Sequence, residues 1–126
     1  MSTKHFKFTH AKFGTIRAIE LKKDLWFDAV DVCECLGFSN PSATISKFVD
    51  EENQTPFFEL DSDYSKDRKI IIDENGFQDL IDASKIAYAE QIQNWLDFQI
   101  LPAYGRLIEQ TEAITENCRI DITIDG

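Results

Sequence analysis

Nucleophiles and metal ligands are scarce in this chain, and their spacing limits what they could do. Among 126 residues there are three Cys and two His. Cys33 and Cys35 lie two apart in a stretch that reads as helix, so their thiols point to nearly opposite sides and cannot share an ion. Cys118 is remote in sequence, no C-x-x-C pair occurs, and an odd count argues against a disulfide framework. His5 and His10 are too few to complete a zinc set. Asp61, Asp63 and Asp67 crowd one loop, but it lacks the glycine and terminal glutamate of an EF-hand and reads as a solvated turn. Neither a Ser/His/Asp set nor a phosphate-cradling glycine loop is present, and abundant carboxylates do not by themselves identify an acid–base pair. The expectation is a binding protein rather than an enzyme, with no catalytic residue, no metal and no cofactor.

Recognition chemistry is better represented. Asn40, Ser42, Thr44 and Lys47 fall on one short helical stretch and carry the small polar side chains that approach base edges, with Lys4, Lys7, Lys12 and Arg17 available for phosphates. Against this stands a formal charge of −10. The first 23 residues hold six Lys or Arg against Glu20, giving +5, and the remainder holds seven basic and 22 acidic residues, giving −15. Such a balance repels nucleic acid at long range, because phosphate neutralisation supplies most non-specific affinity. Six acids, Asp28, Asp31, Glu34, Asp50, Glu51 and Glu52, flank the same helical stretch. They are the candidate contact for a protein partner with a basic face. An acidic surface that only keeps the protein soluble and monomeric is the plain alternative.

These residues are positioned by a predicted helix pair over 28–50. Asp28 is an N-cap, since its carboxylate can accept from N–H groups left unpaired in a first turn. Val32, Cys35 and Leu36 follow at helical spacing, and Gly37 can close the helix in a left-handed conformation. Asn40 then caps a second helix with Pro41 at its first position. Ile45, Phe48 and Val49 are its expected buried face. The outline is that of a helix-turn-helix, although any compact α+β domain can contain such a pair for packing alone.

Around that pair the pattern alternates between strand and helix periods. Residues 4–9 and 14–21 read as two strands of a hairpin turning near 10–13, with Phe6, Phe8, Ile16 and Ala18 inward. Lys22, Lys23 and Asp24 form a second turn before a short strand at 25–27. A further hairpin is predicted from 56–60 and 68–72. Asp73 caps a helix over 74–83 with Phe77, Leu80 and Ile81 buried, Asp79 and Asp82 facing water. A longer helix is expected over 86–101, with Trp95 in the core and Pro102 ending or kinking it. A weaker helical pattern through Tyr104, Leu107, Ile108 and Ile114 runs to about 116. Residues 118–126 alternate strictly, with Ile120, Ile122 and Ile124 on one side. A strand with one apolar face must pair with something, either within its own chain or by exchange with a second copy. Ile108, Ile114, Ile120, Ile122 and Ile124 are therefore the candidate dimer contacts.

Strands followed by helices, with 43% hydrophobic residues, give an α+β fold: a small antiparallel sheet and a hairpin packed with four to five helices. One domain is expected over 1–117, with 118–126 as a strand-like tail. No apolar run is long enough to span a bilayer and no signal peptide is evident, so a cytoplasmic location is the default.

Three segments, in this order, resemble the Bro-N domain, the N-terminal module of phage antirepressors and of baculovirus repeated-ORF proteins. They are IRAIELKKDLWFDAVDVCECLGFSNPSATISKFVDEEN at 16–53, IIIDENGFQDLIDAS at 70–84, and AEQIQNWLDFQILPAYGRL at 89–107. The first is similar to the family's aromatic-Phe step, Asp-Val helix, LGF-type turn with Asn-Pro and Val-Asp-Glu-Glu ending. The second resembles its Ile-Asn-Glu-Ser-Gly-Leu segment, and the third its Trp helix ending in Leu-Pro. The chain departs from the pattern after that pair, where Ala103, Tyr104, Gly105 and Arg106 replace a basic segment, and it is more acidic than members proposed to bind DNA. The resemblance implies a phage or prophage regulator of antirepressor type that binds a repressor or other regulatory protein. The alternatives are a sequence-specific DNA-binding regulator and a DNA-mimicking inhibitor of a host defence complex.

Overall fold

The computed structural model describes residues 3–57, 69–106, 112–114 and 118–125. Its strands are β1 (Thr3–His10), β2 (Gly14–Leu21), β3 (Asp24–Asp28), β4 (Gln54–Phe57), β5 (Lys69–Ile72), β6 (Glu112–Ile114) and β7 (Cys118–Asp125). All neighbours are antiparallel, and they form one seven-stranded sheet in the order β4-β5-β3-β2-β1-β7-β6. The helices are α1 (Ala29–Cys35), α2 (Pro41–Phe48), α3 (Glu74–Ala83), α4 (Ala89–Trp95) and α5 (Leu101–Arg106). The α+β class and the helix count expected from sequence both hold.

Local chemistry explains most of these elements. The β1–β2 hairpin turns over 11–13, between paired His10 and Gly14. The β2–β3 connection is a two-residue turn in which Lys22 and Lys23 both take positive φ, 52° and 70°. That geometry matches the right-handed twist of the flanking strands. Asp28, Asn40 and Asp73 cap α1, α2 and α3, accepting from the backbone N–H of Asp31, Ala43 and Gly76 respectively. Gly37, at φ 81°, turns the chain between α1 and α2, and a Cβ there would meet Ile86 Cδ1 at 2.7 Å.

One sheet face carries Phe6, Phe8, Ile16, Ala18, Phe27 and Ile72, which share a core with Val32, Cys33, Leu36, Phe77, Leu80, Ile92, Trp95 and Ile100 from the helices. Aromatic contacts thread it. Phe8 lies 6.4 Å from Phe27, whose ring meets Phe77 edge-on at 5.0 Å. Ile19 and Ile71, also fully buried, lie outside that cluster and alternate with its strand residues.

Five expectations are corrected. Of the two outcomes expected at Pro102, ending the helix does not occur: α4 runs through a π-helical turn at Leu96–Ile100 into α5. The wider ring of that turn shifts the hydrogen-bond register, so a residue without an N–H is accommodated. Helix does not continue to 116, because Glu112–Ile114 is a strand paired with β7; residues 107–111 and 115–117 lie outside the described set. The alternating 118–125 segment is strand β7, inserted between β1 and β6 and paired along β1 from Thr3↔Asp125 to His10↔Cys118, which is the pairing within its own chain among the two expected. Finally, Phe48 is 38% exposed rather than buried, Asp79 is half-buried rather than facing water, and α4 begins at Ala89.

Trp95, 2% exposed, joins the β1–β2 turn to the helical layer. Trp95→Ala should therefore cost about 3–5 kcal/mol, read as a lowered urea midpoint; a shift under about 1 kcal/mol would show that the helical layer is not held at this ring.

Candidate functional site

The helix pair is fastened to the sheet by three charged residues. Asp28 ends β3, caps α1 and is 1% exposed. Its Oδ2 accepts from Arg17 Nη2 at 3.2 Å while Oδ1 accepts the Asp31 N–H at 3.1 Å. Asp31 Oδ2 accepts from both the backbone N and Nε of Arg17, each at 3.0 Å. The backbone bond is possible because the β2–β3 pairing runs only to Ala18↔Phe27, so that Asp31 takes the place of a strand partner at Arg17. A buried carboxylate is tolerable only with such partners. Two of the six acids expected at a partner contact, Asp28 and Asp31, are thus internal to the fold, and Arg17, expected on a phosphate, is their counter-ion.

The remaining candidates divide by position. Asn40, Ser42 and Lys47 are exposed on α2, and Thr44 is half-buried with its hydroxyl donating to the Asn40 carbonyl at 2.8 Å. Lys47 Nζ sits 5.2 Å over the Phe48 ring. Asp50, Glu51 and Glu52 follow at once, all exposed, the last two opening a 3-10 turn at Glu51–Asn53. Glu34 is exposed on α1. The basic residues of the first hairpin are not gathered with them. Lys12, in the β1–β2 turn, donates to Gln91 Oε1 of α4 at 2.9 Å. Lys7 is exposed on β1, and the Lys4 side chain lies outside the described set.

Of the candidate dimer residues, Ile114 is in β6 and Ile120, Ile122 and Ile124 are in β7, while Ile108 lies outside the described residues. Backbone pairing with β1 meets the need that suggested strand exchange, so that argument for a dimer falls away. The calcium-like loop with Asp61, Asp63 and Asp67 is also outside the described residues. Cys33 and Cys35 are both buried in the core, and burial together with nearby carboxylates pushes each thiol up to about 12. Such thiols stay protonated and unreactive. Among the described residues no group of three or more His, Cys, Asp or Glu could hold a metal ion. No described helix is long and apolar enough to cross a membrane.

Two concavities were not foreseen. An apolar one of about 430 Å³ lies beside α2, between Leu36, Phe38, Phe48 and Ile86. A larger one of about 540 Å³ opens between the β1–β2 turn and α4. There the His10 ring stacks on Phe13 at 4.2 Å and meets Trp95 edge-on at 5.2 Å. The His10 Nδ1 accepts the Lys12 N–H at 3.0 Å, which leaves the proton of a neutral ring on Nε2. Burial, reinforced by the Lys12 charge, holds the imidazole below its ordinary 6.5. The exposed Phe98, next to Asp97, was the available sequence signal for this site, but a helical pattern alone cannot separate a rim aromatic from a core one.

Residues 15–102 match the family described as BRO family, N-terminal domain, a span from β2 to the proline after the π-turn. The chain is also similar to a curated relative, the "Uncharacterized Bro-N domain-containing protein L2" of Acanthamoeba polyphaga mimivirus. The two are 30% identical over 92 residues, which cover 65% of this chain and 37% of the relative. The match therefore spans well under half the relative's length. No solved structure matches.

Two measurements check this geometry. Arg17→Met leaves the Asp28 carboxylate buried without its counter-ion and should cost about 3–5 kcal/mol. Asp31→Asn strips a charge from a pair in which Arg17 is 37% exposed and should cost about 1–3 kcal/mol; equal losses would mean that Asp28 does not depend on the guanidinium. Because His10 is held below its unfolded value, its contribution to stability is complete above pH 6.5 and is lost as pH falls through the folded value. His10→Phe should flatten that component of a melting-temperature profile taken between about pH 7 and 5, whereas parallel profiles would exclude it.

Proposed function

This chain belongs to the BRO family, carrying its N-terminal domain over residues 15–102, and on that premise we propose that it is a phage or prophage regulator of the antirepressor type. It acts by binding rather than by catalysis. Its partner is a basic, DNA-binding regulatory protein, which it draws off its operator. The observation that carries this reading is the acidic end of α2, where Asp50, Glu51 and Glu52 are all exposed beside a single exposed cation of that helix, Lys47. Glu34 adds to the same sign on α1. Partners that hold DNA present positive faces, and complementary charge speeds encounter and excludes wrong partners. The net charge of −10 supports the same direction.

A second reading, a sequence-specific DNA-binding regulator, draws on the exposure of Asn40, Ser42 and Lys47 along α2. It meets two physical objections. Arg17 is committed to Asp28 and Asp31, and three carboxylates would approach phosphates together with Lys47. A DNA-mimicking inhibitor of a host complex uses the same acidic surface and differs only in the partner's identity.

A labelled mixed-sequence duplex titrated with the protein over a salt series separates these readings. No binding is expected at any salt. Binding whose logarithm falls linearly with the logarithm of salt concentration would put phosphate contacts at the front and displace the antirepressor reading. In the same assay format, Glu51→Lys with Glu52→Lys should weaken capture of a basic repressor-type partner, and an unchanged yield would move the contact elsewhere.

A further inference from the structure

The larger cavity, between the β1–β2 turn and α4, is not used by that reading, and the hydrogen bonds around it fix what it can offer a ligand. Lys12 is the one charged side chain in its lining, and its Nζ donates to Gln91 Oε1 at 2.9 Å. An ammonium carries three donors, so two remain for a ligand. The same bond occupies the acceptor end of the Gln91 amide, and the end left over is its NH2. His10 is fixed in the same sense. Its Nδ1 accepts the Lys12 N–H at 3.0 Å, which places the donor of the neutral ring on Nε2. Asn94, exposed and three residues along the helix from Gln91, adds a second amide on the same side. The polar part of the lining is thus a cation among donors, and its complement is an anionic group that only accepts, a carboxylate or a phosphate.

The apolar part is aromatic. Phe98 lies in the π-turn at Leu96–Ile100 and is 72% exposed where it lines the cavity; such turns concentrate at functional sites. Phe13, half-buried, lines the same cavity with the Lys12 ammonium 5.6 Å from its ring. Rings so placed favour an aromatic body, which gains from stacking beyond the area it buries. At about 540 Å³ the space falls within the range of small-molecule sites, roughly 300–1,000 Å³.

Charge narrows the anion further. The chain's −10 disfavours every anion at long range, but such effects fade beyond a Debye length of about 8 Å at physiological salt, whereas Lys12 acts at contact. Glu90 and Asp97 are exposed beside Gln91 and Phe98 without lining the cavity. A single carboxylate can stay with Lys12, while a phosphate chain leaving the cavity would meet like charge at those two acids.

We propose that this cavity binds a small aromatic monocarboxylate, its anion held by Lys12 and the Gln91 and Asn94 amides and its ring covering Phe98. The site is separate from the acidic end of α2, and its occupancy is measured without any repressor.

The test titrates the full chain with phenylacetate and with phenylacetamide, its neutral counterpart, while the side-chain NH2 signals of Gln91 and Asn94 are followed by NMR. The carboxylate should bind saturably in the millimolar range or tighter, and the neutral amide about tenfold more weakly. Lys12→Gln should abolish that difference, and Phe98→Ala should weaken the carboxylate by roughly fivefold. Both positions are exposed, so the melting temperature should hold in each variant. The proposal is overturned if the signals do not saturate, if the neutral amide binds as tightly, or if Lys12→Gln leaves the affinity for the carboxylate unchanged. It is overturned equally if oligothymidylate, or a tetrapeptide ending in Phe, moves these signals and the small acid does not.

Discussion

The contact on which the rest of the structure depends is the carboxylate of Asp28. It closes β3 opposite Ile71, starts α1, and sits 1% exposed against the Arg17 guanidinium. Those roles are coupled. The strand must stop where the helix begins, and the helix must leave at the angle that brings Asp31 over the open edge of β2. With α1 aimed that way, Val32, Cys33 and Leu36 enter the core and Gly37 delivers α2 to its flank. A buried ion pair gains little over a hydrophobic alternative, but losing one member is costly. Its value here is geometric, since it fixes which end of the helix pair is anchored and leaves the other outside.

Local signals were legible from the residues alone. Caps at Asp28, Asn40 and Asp73, the helix-closing role of Gly37, and the buried stripe of Phe77, Leu80 and Ile81 all depend on neighbours within a few positions, where spacing is informative. The fate of Arg17 was not, because its partners lie 11 and 14 residues away and only the finished strand–helix junction brings them together. The same limit hid the place of β7. Its alternation was plain, but pairing with β1 spans most of the chain, and nothing local distinguishes an inserted strand from an exchanged one. Phe48 shows the opposite failure: its spacing with Ile45 is helical, yet the ring lies at the edge of the buried face and leans on Phe38 at 6.4 Å. The helix continues past Pro102 for a physical reason as well, since the preceding turn is π rather than α and shifts the hydrogen-bond register around the missing N–H.

The candidate site was half legible. Residue types around α2 were read correctly as polar and acidic, but sequence could not separate acids that build the fold from acids that face solvent. Once Asp28 and Asp31 are set aside with Arg17, the balance at the end of α2 is simple. α2 ends at Phe48 and the chain is extended through Val49 and Asp50 before the 3-10 turn, so the three acids stand just past the end of the helix that carries Lys47. A phosphate arriving at Lys47 meets the sum of one positive and three negative charges, whereas an Arg or Lys from a protein meets the same sum with the sign in its favour. Membership of the family fixes the fold and leaves this choice open; the charges at the end of α2 are what support the reading in which a protein partner is bound.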